Sequence, residues 1–243
     1  MAFGFLQEAV NLLLHLFFPR TCFCCGRDIS RKNPSLLCPD CTKKLEPITG
    51  LVCVRCGLPL KSGGAHCFNC RGSKAAKYKC SYIRSALCFN EPSRALVHAF
   101  KYEKYVCAAK FFAPLMYKTF KENPPYFEAE IMVPVPIHKS RMRKRGFNQA
   151  RLLADELSKY NHIPAEDILL RVHKTKSQTS LNRAERKENI KDAFRLKPGV
   201  NVKGKAVILI DDVCTTGATL EECARVLKKS GAREVLALTA LRE

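Results

Sequence analysis

The run Val207-Ile-Leu-Ile-Asp-Asp-Val-Cys-Thr-Thr-Gly-Ala-Thr219 leaves few folds open to this chain. Val207 to Ile210 is apolar and mostly β-branched, which reads as a strand buried on both faces of a parallel sheet. The strand ends in two adjacent carboxylates, Asp211 and Asp212. Thr215, Thr216, Gly217, Ala218 and Thr219 follow, and then Leu220, Cys223, Ala224 and Leu227 recur at helical spacing. Glu221 and Glu222 open that helix, Lys228 and Lys229 close it, and Gly231 lies just beyond, as the helix dipole and a C-cap favour. A helix N-terminus presents unpaired N–H groups and partial positive charge, which suit a phosphate. Gly217 lets the backbone approach it, and the threonine hydroxyls add hydrogen bonds. Carboxylates one turn away accept hydrogen bonds from vicinal hydroxyls. Phosphate plus vicinal diol describes a ribose 5-phosphate. The Walker pattern is absent, which disfavours cleavage of a nucleoside triphosphate.

Fourteen cysteines are present, and eight of them form four Cys-x2-Cys pairs near the N-terminus. In that arrangement they read as metal ligands of a reducing compartment rather than as disulfides. Cys22/Cys25 and Cys53/Cys56 each precede a glycine, Gly26 and Gly57, as in a zinc knuckle whose tight turn needs a positive φ. Cys38/Cys41 and Cys67/Cys70 close the sites. The simplest pairing is sequential: Cys22, Cys25, Cys38 and Cys41 around one Zn2+, and Cys53, Cys56, Cys67 and Cys70 around the other. A cross-braced pairing uses the same ligands, Cys24 competes as a ligand, and an iron–sulfur centre is the alternative occupant. Four thiolates close the coordination shell, so the two zinc ions are structural. A module of this length could hardly fold without such staples.

The 243 residues suffice for one sizeable core and a small module. The net charge of +20 favours a polyanionic partner. Residues 1–18 are largely apolar but are interrupted by Gln7, Glu8, Asn11 and His15. The run is too short to span a bilayer and lacks the pattern of a signal peptide. It reads as an amphipathic helix packed on the protein, with peripheral contact at a membrane surface as the alternative. The expected divisions are this helix at 1–19, a double zinc ribbon at 20–75, and an α/β domain at 80–243. The α/β domain consists of a cap over 80–130 and a core over 131–243.

Within the cap, Ser81–Asn90 is a candidate strand, Pro92 opens a helix, and Pro114 kinks a second that ends at Pro124-Pro125. Ile131–Pro136 is a further buried strand. After it, residues 139–145 carry five basic side chains in seven and read as a loop that would suit a pyrophosphate or a nucleic-acid backbone. Ala150, Leu153, Ala154 and Leu157 mark a helix, 168–172 a strand, and Glu234–Ala240 a last strand. Alternating β and α units argue a parallel sheet whose ligand binds at the strands' carboxyl ends, placing 136–145 and 211–219 on one rim. Residues 173–194 are polar and weakly periodic and read as a basic lid, with Lys174, Lys176, Arg183 and Arg186 as candidates to stabilise a departing pyrophosphate. Phe68, Phe89, Tyr102 and Tyr105 are candidate stacking positions for a single strand.

Residues 207–219 resemble the phosphoribosyl pyrophosphate (PRPP) signature of type I phosphoribosyltransferases at every position. The whole chain resembles the ComF family, in which that fold follows an N-terminal double zinc ribbon. The likeness is carried by Phe18-Pro19 before the cysteines, Val133-Pro-Val-Pro-Ile-His138, Arg145-Gly-Phe-Asn-Gln149, and Thr175, Gln178, Leu181, Arg186, Asn189 and Phe194. The resemblance implies a cytoplasmic protein of natural competence that helps bring single-stranded DNA across the inner membrane, with a ComFA-like helicase as partner. Its ligand would be PRPP with Mg2+. Asp211 and Asp212 would hold the ribose hydroxyls and Thr215 to Thr219 the 5-phosphate. His138, Lys139, Arg141, Lys174 and Arg186 would face the pyrophosphate. A metabolic phosphoribosyltransferase acting on a base or amine, and a PRPP sensor without turnover, are the competing functions.

Overall fold

The computed structural model describes residues 20–29, 36–71, 78–173 and 188–243. Its strands are β1 (Tyr82–Cys88), β2 (Ile131–Pro134), β3 (Leu169–Arg171), β4 (Phe194–Leu196), β5 (Ala206–Cys214) and β6 (Glu234–Arg242). Its α-helices are α1 (Pro39–Lys43), α2 (Glu91–Tyr102), α3 (Ala108–Lys121), α4 (Lys139–Arg145), α5 (Gln149–Asn161) and α6 (Ala218–Lys229). A four-stranded parallel sheet in the order β1-β6-β5-β2 forms the centre. Every residue of β6 after Glu234 is buried, and so are the first five of β5, because helices or hairpins cover both faces.

On one face, Ile208, Ile210, Leu236 and Leu238 pack with Leu96, Phe100, Phe112, Met116, Leu153 and Leu157 of α2, α3 and α5. On the other, Val207, Leu209, Val235 and Ala237 pack with Leu220, Cys223, Ala224 and Leu227 of α6 and with Leu169 and Phe194. Pro92 sits in the first turn of α2 beside a capping box between Asn90 and Ser93, and Pro114 lies within α3.

The structure corrects several expectations. The strand at 82–88 is hydrogen-bonded into the main sheet beside β6 instead of belonging to a cap above it. The strand near 168–172 leaves the sheet and pairs antiparallel with β4 in a two-stranded hairpin. It is too short to reveal by its pattern which partner it takes. The basic stretch after His138 is the helix α4 and not a loop. His138 Nδ1 accepts from the Ser140 N–H at 3.2 Å, Gly146 closes the helix at φ 88°, and Arg143, Lys144 and Arg145 occupy the last turn, where the dipole favours cations. No residue of α4 is buried, so no apolar period marked it. The expected N-terminal helix and the lid positions Lys174, Lys176, Arg183 and Arg186 lie outside the described residues.

The two ribbons lie along the outer edge of β1. Pro47 bridges Leu87, Ile48 N–H donates to Ala86 O at 3.1 Å, and Cys88 N–H donates to Glu46 O at 2.8 Å. At the other end of the strand, Ile83 N–H donates to Arg55 O at 2.7 Å. Arg84 reaches back to the Val54 carbonyl at 3.1 Å. An edge strand is a template for unwanted pairing, and here the ribbons occupy it.

Candidate ligand-binding cleft and two four-cysteine centres

The strand β5 continues through the two carboxylates to Cys214, because Asp211, Val213 and Cys214 still register with Thr239, Leu241 and Arg242 of β6. Successive side chains on a strand point to opposite faces. Asp212, in phase with Ile208 and Ile210, meets Lys101 of α2, with Nζ 3.0 Å from Oδ2. Asp211, in phase with Val207 and Leu209, lies toward the face of α6. The Asp212 backbone N–H donates to Asp211 Oδ1 at 2.9 Å. Burial, reinforced by the neighbouring charge of Asp212, pushes the Asp211 carboxyl up to about 7, while Lys101 and Arg171 pull the other way. The carboxylates therefore diverge from one sheet edge instead of forming a pair on one side.

The turn that follows enters α6 through Gly217 at φ 76°, a conformation that favours glycine. Thr215 to Thr219 are all half-buried. Thr216 Oγ1 accepts from the Ala218 N–H at 3.3 Å. The buried Arg242 donates to the Cys214 carbonyl at 2.7 Å and to the Thr215 carbonyl, fixing the start of the loop from below.

Three cations surround the carboxylates; sequence reasoning missed Lys101 and Arg171 and had Arg145 only as part of its basic run. Arg145 of α4 is half-buried, donates to Gln149 Oε1 and stands 5.7 Å from the centre of the Tyr102 ring. Burial pulls its guanidinium down, and Asp212 acts against that. Arg171 of β3 is brought down to about 10, first by burial and then by Arg141, with Asp211 opposing. Arg145 ended a visible basic run, but Lys101 carried no local signal, since its partner lies far along the chain. Of the expected residues, Arg141 is half-buried beside this group, Lys139 is exposed, and His138 serves as the cap of α4.

The eight paired cysteines fall into two groups, Cys22/Cys25/Cys38/Cys41 and Cys53/Cys56/Cys67/Cys70, with the Sγ atoms of each group within 4.8 Å of one another. The pairing is sequential, and Cys24 stands outside it. Tetrahedral zinc with bonds of about 2.3 Å requires Sγ–Sγ separations of about 3.8 Å. Cys25–Cys38 at 3.7 Å and Cys56–Cys67 at 3.6 Å meet this. Gly26 and Gly57 take φ 72° and 66°, and their N–H groups close the knuckles on Cys22 O and Cys53 O, both at 2.9 Å. The donor set and its spacing fit two structural Zn2+ ions.

The double zinc ribbon domain family matches residues 13–71, and the phosphoribosyl transferase domain family matches 142–242. Competence protein F of Haemophilus influenzae is 32% identical over 228 residues, covering 92% of this chain and 96% of that protein. The chain belongs to the ComF family. Other ComF-family relatives are Competence protein ComFC of Bacillus subtilis, 34% identical over 87% of this chain and 86% of its own, and DNA utilization protein YhgH of Escherichia coli, 27% identical over 90% and 96%. The ComF fold is thus a phosphoribosyltransferase-type parallel sheet preceded by a double zinc ribbon. Among the described residues no helix is long and apolar enough to cross a membrane.

Proposed function

We propose that this ComF protein binds PRPP or ribose 5-phosphate with Mg2+ at the carboxyl edge of its sheet and acts in the uptake of single-stranded DNA. The observation that carries the reading is the juxtaposition of Asp211 and Asp212 with the Thr215–Thr219 turn at the start of α6, walled by Lys101 and Arg145. Asp212 and Asp211 accept hydrogen bonds from the ribose hydroxyls. The start of α6 and the threonine hydroxyls take the 5-phosphate. Arg141 and Arg145 face the pyrophosphate side. Bound Mg2+ would neutralise charge on the leaving pyrophosphate. Support for a DNA partner comes from the net charge of +20 and from the names of the relatives. Of the four aromatic candidates, Phe68 and Tyr102 are the widely exposed ones, at 90% and 62%. A ComFA-like helicase and the cytoplasmic side of the inner membrane complete the reading.

The test is calorimetric titration of PRPP–Mg2+ with and without a short single strand, on the unmodified chain and on Asp212→Asn. Binding that is lost in the variant and changed by DNA supports one linked site. Binding indifferent to DNA rejects the DNA half of the reading. A second reading, transfer of phosphoribose to a base or amine, is favoured by Asp211 itself. A carboxyl titrating at about 7 can take a proton from an acceptor nitrogen at neutral pH. Release of pyrophosphate with one acceptor from a panel of bases and amines would establish it, and none with any acceptor would dismiss it.

A further inference from the structure

Arg55 lies inside the second knuckle, between Cys53 and Cys56, and its side chain leaves the ribbon for the core. One terminal nitrogen is 3.6 Å from Cys70 Sγ, a member of the same four-cysteine group. The other is 3.0 Å from Glu221 Oε2 and 3.2 Å from the Cys80 carbonyl. The guanidinium is stacked 3.2 Å from the centre of the Tyr78 ring. Glu221 stands in the first turn of α6, where its N–H bonds to Gly217 O at 2.9 Å. Its carboxylate also accepts from the backbone N–H groups of Lys79 and Cys80. The side chains are largely enclosed, at 13% and 25% exposure, so the pair is not a solvated surface contact.

Between the second ribbon and the loop lies a cavity of about 1190 Å3, lined among others by Arg55, Cys56, Tyr78, Thr215, Thr216 and Ala218. The loop thus borders open space, and the Arg55–Glu221 pair crosses from ribbon to helix beside it. Electrostatics adds a second role. An acidic side chain in the first turn of α6 would compete with an anion for the same helix N-terminus. Arg55 and the two backbone N–H groups draw that charge away.

We propose that Arg55 and Glu221 are positioning residues through which the second four-cysteine centre holds the phosphate loop. The inference rests on the reading of Thr215–Thr219 as a phosphate site. The first ribbon serves as the internal comparison. Its hydrogen bonds run to β1 and α2, through Ile48, Cys88 and the Asn90 side chain to Lys44 O. Metal at the second centre fixes the knuckle, the knuckle fixes Arg55, and Arg55 fixes the first turn of α6.

The variants Arg55→Leu, Arg55→Lys and Arg55→Leu with Glu221→Gln test this on the full chain. The ribbon stays docked in all of them, because Ile83 N–H still meets the Arg55 carbonyl and Arg84 still meets Val54. Zinc content is therefore expected to remain at about two ions per chain. Affinity for ribose 5-phosphate is expected to fall about tenfold in Arg55→Leu, recover in part in Arg55→Lys, and recover in part in the double variant, where the stray carboxylate is gone. Amide exchange at 216–221 should quicken in Arg55→Leu. Unchanged affinity and unchanged exchange at full zinc content would overturn the proposal. If the unmodified chain binds no ribose 5-phosphate, the phosphate reading falls, and the exchange rates alone still decide whether the clamp exists.

Discussion

Asp211 carries its own pH dependence. Its carboxyl titrates at about 7 in the folded chain against an ordinary value of 3.8. The folded state therefore holds the proton more tightly, and the stability linked to it is present below about 3.8 and is lost as pH rises through 7. Asp211→Asn removes the charge while its amide oxygen can still accept from the Asp212 N–H. Thermal melts should show little gain from this substitution at pH 4 and a gain of about 2 kcal/mol at pH 8, after allowance for partial exposure. An equal effect at both pH values would contradict the buried-carboxyl account. The glycines of the two knuckles offer a sharper contrast. A Cβ on Gly57 would lie 2.6 Å from the Ile83 carbonyl oxygen, whereas one on Gly26 meets nothing within 4 Å. Both have positive φ, so Gly26→Ala should cost about 1 kcal/mol and Gly57→Ala about 3, with the second also loosening the ribbon from β1. Denaturant melts of both variants with parallel zinc assays check the difference.

At the scale of elements, local chemistry decided what could be read in advance. The β5–turn–α6 unit was legible because apolar run, carboxylates, hydroxyls and helix period follow one another within a few residues. The knuckles were legible because a metal imposes spacing on its ligands. Other features had no local mark. Lys101 belongs to the cleft because α2 packs on the face toward which Asp212 points, which is a tertiary fact. The helix α4 buries nothing, so its basic residues looked like a loop. The stretch at 82–88 was visible as a strand, but its place in the sheet depends on β6. An element-scale prediction follows for Lys101. With Nζ 3.0 Å from a carboxylate that is 9% exposed, Lys101→Met removes that charge's direct partner and should destabilise by about 2–3 kcal/mol. Asp212→Asn in the same chain should recover most of the loss, and a double-mutant cycle by thermal melts measures the coupling.

For the whole molecule, charge and metal set the behaviour. At a net charge of +20, any single-stranded DNA affinity should fall steeply between 50 and 200 mM salt, about tenfold or more for a few phosphate contacts. Tyr102→Ala and Phe68→Ala should each weaken binding by about 1–3 kcal/mol if their exposed rings stack bases, and leave the salt slope unaltered. Fluorescence titrations with labelled oligonucleotides at several salt concentrations separate the two contributions. A flat salt response would remove phosphate contact from the account.

The strand β1 leaves the ribosome long before its partner. Ser85 hydrogen-bonds to Thr239, 154 residues further on, so the inner edge of β1 cannot be filled until the chain is almost complete. At about 5–20 residues per second, that wait lasts roughly 8–30 s. Among the described residues, the ribbons, synthesised just before β1, are what covers its other side meanwhile. They can do so only once they have captured metal. Zinc supply during translation, more than zinc offered to the finished protein, should therefore govern how much native chain a cell accumulates.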